Sequence, residues 1–162
     1  MGERRHEWPT SISVLKVLNE FRSRWISAMT DFSVPMRVYI EDTDAGGIVY
    51  YANYLKFMER ARTEYMRSLG YGKVALFDGL QLVVHDLQLK YHKPAVLDDE
   101  IIVSAKLTGV TRVTFSMSQA VYLGDQLLVE GSVRVACINA DTKRPKAVPK
   151  EMFEHLTSQI GV

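Results

Sequence analysis
Residues 53–69 carry the pattern that most narrows what this chain can become. Tyr54, Leu55, Phe57, Met58, Ala61, Tyr65, Met66 and Leu69 recur at three- and four-residue spacing and form a wide apolar arc of one helix. Only the strip containing Lys56, Glu59, Arg60, Thr63 and Arg67 is polar, and Arg60 is spaced to pair with Glu64. Gly70 and Gly72 stop the run. A helix apolar over so much of its circumference is expected to be wrapped by other structure rather than laid on a surface.

The rest of the chain supplies the wrapping. Val34 to Ile40 is extended in character, with Pro35 suited to a strand's beginning or edge. After the helix the hydrophobic period becomes two. Leu80, Leu82 and Val84 share one parity, and Leu87, Leu89 and Tyr91 share the other, which predicts a bulge near His85-Asp86. A turn at 94–99 leads to a strand over 101–108, and a turn at 109–112 leads to a strand over 113–123. Gly124-Asp125 is a two-residue hairpin signal, and 126–139 returns as a long strand. Pro145 and Pro149 precede a short final helix over 150–159. One apolar helix against consecutive antiparallel strands predicts an α+β domain.

Composition excludes several function classes. The 162 residues are 47% hydrophobic and 24% charged, with a formal charge of +1, the balance of one soluble globular domain rather than a general nucleic-acid binder. The near-neutral total combines mildly basic ends with an acidic middle: residues 29–140 hold eleven basic and thirteen acidic side chains. A single cysteine, Cys137, excludes an intramolecular disulfide framework and a multi-cysteine zinc site. No apolar run is long enough to span a membrane and no signal-like core follows Met1, so a cytoplasmic protein is expected. Ahead of the domain, Ile12, Leu15, Leu18, Phe21, Trp25 and Met29 have helical spacing. Residues 1–31 thus read as an N-terminal extension of helical character, with Met29 as an alternative start, and 32–162 as the folded domain.

The densest chemical feature is the loop Asp42-Thr43-Asp44-Ala45-Gly46-Gly47 just before the helix. Gly46 and Gly47 let backbone amides approach a ligand, and a helix N-terminus follows, where unpaired amides and the helix dipole favour developing negative charge. A carboxylate here can act as base or nucleophile beside an oxyanion site, a hydrolytic layout for an activated carbonyl. The same string also reads as ordinary turn chemistry, with Asp accepting backbone bonds. Elsewhere the signals are weaker. His6, His85, His92 and His155 are scattered, with His85 expected as a hydrogen-bonded, half-core strand residue. Cys137 reads as an inert small hydrophobe, and Asp98-Asp99-Glu100 as a solvated turn, since the ligand alternation of a calcium loop is missing. No metal site or cofactor is expected, and no Gly-rich nucleotide fingerprint occurs.

The string from Tyr39 to Tyr54, YIEDTDAGGIVYYANY, followed by Glu59-Arg60-Ala61-Arg62-Thr63, resembles the hotdog-fold acyl-CoA thioesterases. Within these it is similar to the 4-hydroxybenzoyl-CoA thioesterase-like family, above all its YbgC branch, associated with the Tol–Pal cluster in many bacteria. The likeness runs from about Phe32 to Leu156 and includes Lys90-Tyr91-His92-Lys93-Pro94-Ala95 and Asp98-Asp99. It implies a hotdog fold, a long central helix wrapped by a five-stranded antiparallel sheet. It implies Asp44 as the catalytic carboxylate, either activating water or attacking the thioester to give a mixed anhydride. It also implies the Tyr51 backbone amide as the oxyanion donor. Many branch members carry histidine at the Tyr51 position, so an imidazole mechanism is closed here while the backbone role survives.

The resemblance further implies a homodimer or homotetramer with a shared site. Its acyl pocket would lie by Asp44, Gly46 and Gly47, with Phe57, Met58 or Glu59 of the partner subunit's helix supplying the walls. Arg112, Arg144 and Lys146 are the candidates for the CoA phosphates, on charge attraction alone. Acyl carrier protein is the alternative donor. Two other readings stay open: a non-catalytic acyl-CoA or acyl-carrier-protein binding module, and a hotdog hydroxyacyl dehydratase. The latter resemble one another in pairing a histidine with a carboxylate, and no histidine lies near Asp44 in sequence.

Overall fold
A computed structural model describes residues 31–72 and 79–161. The expected N-terminal helix, and the rest of the extension ahead of residue 31, lie outside the described residues. Strand β1 (Ser33–Arg37) leads through a short 3-10 turn, Ile40–Asp42, and the loop to helix α1 (Asn53–Ser68). Strands β2 (Leu80–Tyr91), β3 (Glu100–Ser104), β4 (Lys106–Val110), β5 (Thr114–Leu123) and β6 (Gln126–Asn139) follow, and α2 (Lys150–Ser158) ends the chain. All pairings are antiparallel, in the order β1-β3-β5-β6-β2, with β4 also on β5.

The sheet has six strands where five were expected. The predicted 101–108 strand breaks at Ala105, where side chains take over the bonds to β5: the Ala120 N–H donates 3.0 Å to the Ser104 hydroxyl, and Gln119 Nε2 donates 3.3 Å to the Ser104 carbonyl. One stretch therefore pairs as two segments, β3 with both β1 and β5, and β4 with β5. The parity switch in β2 is a true bulge: the register with β6 shifts between Val84 and Asp86. His85 sits at this bulge exposed rather than half-buried, because the extra residue turns outward. Gly124 takes φ +55° in the β5–β6 hairpin, a conformation that favours glycine.

Helix α1 buries Asn53, Tyr54, Phe57, Met58, Ala61, Tyr65 and Met66 against the sheet, resting on β1 and β3. Phe57 is fully buried, and truncating such a side chain to alanine costs about 3–5 kcal/mol. The helix is not enclosed all round within one chain. Leu55, Lys56, Glu59, Arg60 and Thr63 are exposed, so the expected wrapping covers one side only. Arg60 does not pair with Glu64: its guanidinium lies 6.0 Å from the Phe57 ring, and Glu64 bonds Arg67 one turn on. Asp98 and Asp99 serve the turn, Asp99 accepting from the Val96 N–H at 2.8 Å, while Arg37 bridges Asp98 and Glu100.

Candidate active site
The loop between β1 and α1 is folded tightly on itself. The Asp44 N–H donates 2.9 Å to the Ile48 carbonyl, the Gly47 N–H donates 3.0 Å back to the Asp44 carbonyl, and Thr43 bridges Val49. Gly47 has φ +79°, which excludes most side chains. At Gly46 an added Cβ would lie 3.0 Å from Asp44 Oδ1, while the Gly46 N–H itself donates to that oxygen at 2.7 Å. The two glycines thus shape the turn that presents the Asp44 carboxylate on an exposed face.

The two aspartates, two positions apart in sequence, are divided in space. Asp42 is only 4% exposed. Its Oδ2 accepts from the Tyr39 N–H at 2.8 Å and its Oδ1 from Asn53 Nδ2 at 2.5 Å, tying β1, loop and helix start together. Asp44 makes no such tie, and its carboxylate remains available at the surface. Sequence reading missed Asn53 as the partner of Asp42. The only signal was its place at the first helical position, where an amide side chain is otherwise a weak helix former.

The start of α1 is left open. Its N-cap residue, Ala52, has no side-chain cap, and no acidic residue occupies the first turn. The Asn53 N–H donates 2.8 Å to the Tyr50 carbonyl. In a trans peptide the N–H points opposite to the C=O, so this bond turns the Tyr51 N–H away from the helix. The Tyr51 N–H has no hydrogen-bond partner among the described residues. Tyr91 fixes the next peptide, its hydroxyl donating 2.9 Å to the Tyr51 carbonyl. Tyr54 Oη accepts the Ala95 N–H at 2.9 Å, and burial lifts the Tyr54 phenol above its ordinary value, so it stays protonated. Sequence reading placed Tyr54 on the apolar arc and Tyr91 on a strand but neither at the site, since only pairing across the fold brings them there. The Tyr51 ring packs edge-on against Tyr50 at 4.8 Å and is exposed.

The other expected site residues fall in three places. Phe57 and Met58 are buried in the core of their own chain and do not line the loop. Glu59 is on the open side of α1 and borders a cavity against the sheet. Arg112, Arg144 and Lys146 gather at the other end of the β2–β6 ladder: the Val148 N–H bonds the Arg112 carbonyl, and Asn139, the last residue of β6, bonds the Arg144 carbonyl. Leu80 pairs with Asn139 and Tyr91 with Val129, so this end and the Tyr91 end are separated by the length of β2. At strand rise that is about 35 Å, and one chain does not bring the three cations to Asp44. Among the described residues no cluster of His, Cys, Asp and Glu could hold a metal.

Residues 46–130 match the thioesterase superfamily, a span that opens inside the Asp44 loop and runs into β6. The chain belongs to the thioesterase superfamily. It is 43% identical over 130 residues to the acyl-CoA thioesterase YbgC of Haemophilus influenzae, covering 77% of this chain and 96% of that one. It is 38% identical over 125 residues to the acyl-CoA thioester hydrolase YbgC of Escherichia coli O6:H1, covering 76% and 93%. Among solved structures, a probable thioesterase from Bartonella henselae superposes with a TM-score of 0.70 at 31% identity, covering 74% of this chain and all of that one. This thioesterase-superfamily chain has the hotdog arrangement, one long helix held against an antiparallel sheet.

Proposed function
We propose that this chain hydrolyses acyl-CoA thioesters to the carboxylic acid and free CoA, with Asp44 and the Tyr51 amide as its catalytic groups. The likeness to YbgC acyl-CoA thioesterases supports the reaction. The observation that carries the site is the uncapped start of α1, with the Tyr51 N–H unpaired among the described residues and a surface carboxylate on the preceding turn. Attack on the thioester carbonyl builds negative charge on its oxygen. A fixed backbone N–H beside a helix N-terminus stabilises that charge without reorganising. Asp44 either removes a proton from the attacking water or attacks the carbonyl itself to form a mixed anhydride, which water then opens. In both courses the CoA sulfur leaves as thiolate. Label in the Asp44 carboxylate after single turnover in ¹⁸O-water identifies the anhydride course, in which water opens the anhydride at the Asp44 carbon.

The working unit in this reading is a homodimer or homotetramer. Tyr39, Ile40, Tyr50, Tyr51 and Tyr91 are exposed around the loop, an apolar surface of the kind that association covers. Within such an assembly the open side of α1, with Glu59, would wall the acyl pocket beside Gly46 and Gly47. Arg112, Arg144 and Lys146 would meet the CoA phosphates only across a subunit boundary, given their distance from Asp44 in one chain. Light scattering in solution tests the assembly.

Among the described residues no helix is long and apolar enough to cross a membrane. A cytoplasmic enzyme acting on CoA, with acyl carrier protein as the alternative donor, completes the reading. Residues 1–31 are proposed as an extension outside the catalytic domain, so a chain beginning at Met29 should turn over normally. The deciding experiment is thiol release from short, long and aromatic acyl-CoAs. Turnover of at least one supports the proposal; tight binding with no turnover of any makes the protein a binding module instead.

A further inference from the structure
Two peptides flank the Tyr51 α-carbon, and the carbonyl of each is held. The peptide that carries the Tyr51 N–H is held within the turn, where the Asn53 N–H donates 2.8 Å to the Tyr50 carbonyl. The following peptide is held from outside the turn, by the Tyr91 hydroxyl at 2.9 Å on the Tyr51 carbonyl. Residues 51 and 52 precede the helix and no side chain caps it, so this second bond is what opposes rotation of that peptide. Peptide planes are rigid. With both of them fixed, the φ and ψ of Tyr51 are fixed, and so is the direction of its N–H.

Tyr91 reaches Tyr51 from well-anchored backbone. It ends β2, where it pairs with Val129 of β6, and the His92 and Lys93 N–H groups both donate to the Leu128 carbonyl, at 2.8 and 3.1 Å. Its ring stands edge-on to that of Tyr54 with centroids 5.8 Å apart, and Tyr54 Oη is bound in turn by the Ala95 N–H. Burial, and after it the neighbouring Tyr51, lifts the Tyr91 phenol above its ordinary value, so it keeps the proton it donates. A group carried on a strand holds its partner more precisely than one carried on a loop. The same segment also reaches the turn of the carboxylate. The Ala95 carbonyl accepts the Val49 N–H at 2.9 Å, Val96 bridges Ile48, and the Ile48 carbonyl accepts the Asp44 N–H at 2.9 Å. All of these bonds are made within one chain.

We propose that Tyr91 is a positioning residue for thioester hydrolysis, its hydroxyl fixing the aim of the Tyr51 N–H while residues 91–96 keep the turn of Asp44 in register with it. The inference rests on the reading of Asp44 and the Tyr51 amide as the catalytic groups. The Tyr91 bond falls on the peptide after the oxyanion donor, so what it contributes is geometry rather than charge. Catalysis is steep in that variable, a misplacement of about 1 Å costing about 10²-fold.

The test is steady-state thiol release by the full chain, on an acyl-CoA that the unsubstituted protein turns over. Tyr91→Phe keeps the ring beside Tyr54 and removes only the donor. Its kcat should fall about tenfold, against about 10²–10³-fold for losing an oxyanion donor outright, with KM changed by less than about twofold and the pH dependence of kcat unmoved. At position 91, para-aminophenylalanine presents an N–H near the place of the hydroxyl and should restore most of the loss. In contrast, para-fluorophenylalanine has similar bulk but no donor and should not. Those two variants decide if Tyr91→Phe does not fold by circular dichroism. Unchanged kcat in Tyr91→Phe beside a loss in Asp44→Asn overturns the role of Tyr91 and leaves the catalytic groups standing, whereas normal turnover in Asp44→Asn overturns both. A raised KM at constant kcat, or a displaced pH profile, also overturns the proposal, since the phenol then meets substrate or moves a proton itself.

Discussion

Two isosteric substitutions in one loop should separate chemistry from folding. Asp44→Asn keeps an oxygen to accept the Gly46 N–H, now bound at 2.7 Å, so the turn should survive. What is lost is a charged group able to take a proton or attack a carbonyl. Losing a positioned base lowers kcat by about 10²–10⁴-fold, or about 2.7–5.5 kcal/mol of barrier. Asp42→Asn is the reverse case. Its two oxygens accept from two different donors, the Tyr39 N–H and Asn53 Nδ2, in a residue 4% exposed. An amide has one acceptor oxygen, so its NH₂ group must face one of those donors. Losing one hydrogen bond to a charged group costs about 1.5–3 kcal/mol, which for a chain of this size lowers Tm by about 3–12 °C.

The assay is thiol release from an acyl-CoA alongside thermal unfolding of each variant. Asp44→Asn should lose kcat with an unchanged Tm, and Asp42→Asn should lose Tm before it loses kcat. Near-normal turnover in Asp44→Asn refutes its assignment. If Asp42→Asn instead loses kcat at constant Tm, the roles given to the two carboxylates are exchanged.

The oxyanion role given to Tyr51 belongs to its backbone, and its ring is exposed beside that of Tyr50, so Tyr51→Phe should change kcat by less than about threefold; a loss as large as that of Asp44→Asn would implicate the hydroxyl. Burial pushes the Cys137 thiol from 9.0 up to about 11, so the folded protein should resist a thiol-reactive dye at pH 8 and react once unfolded. Because the unfolded thiol ionises first, the folded state binds more protons between those values, and this group's contribution to stability should fall as pH rises from about 9 to about 11. A titration in which Cys137→Ala shows the same fall would remove that attribution. Gly131→Ala would drive a methyl into the Gln88 carbonyl oxygen of the neighbouring strand, which cannot yield as a flexible side chain would. Its Tm should drop in line with a cost of about 1–3 kcal/mol or more, and an unchanged melt would mean that β2 and β6 sit farther apart than described.

Much of this fold is legible because its signals are local. The exchange of parity between Val84 and Leu87 marks the bulge, since side-chain direction in a strand alternates residue by residue. Gly124-Asp125 fixes the hairpin in the same way, through backbone freedom at one position. The break at Ala105 is different. It arises where the Ser104 hydroxyl takes the Ala120 N–H and the Gln119 side chain takes the Ser104 carbonyl, and no pattern within 101–108 contains those partners. Charge pairing fails for a related reason: Glu64 has Arg60 and Arg67 both within reach, and packing of Arg60 on Phe57 decides between them. The basic residues proposed for phosphates show the limit most plainly. Sign of charge is visible in sequence, but the length of β2 between them and Asp44 is not.

The open start of α1 joins these strands of argument. A helix this important to the core would ordinarily carry Ser, Thr, Asp or Asn at its cap, where such a side chain contributes about 1 kcal/mol. Here Ala52 occupies the cap and the helix start is held from outside, by Asp42 on the Asn53 side chain and by Tyr91 on the Tyr51 carbonyl. Those contacts fix the backbone without consuming the Tyr51 N–H. A side-chain cap would have satisfied donors of the first turn and placed its own oxygen where the proposal puts the oxyanion. The buried aspartate and the exposed one are therefore complementary rather than redundant. Asp42 secures a helix terminus that lacks a cap, which leaves an amide and a dipole open, and Asp44 stands in the adjoining turn, where the proposed chemistry needs its carboxylate.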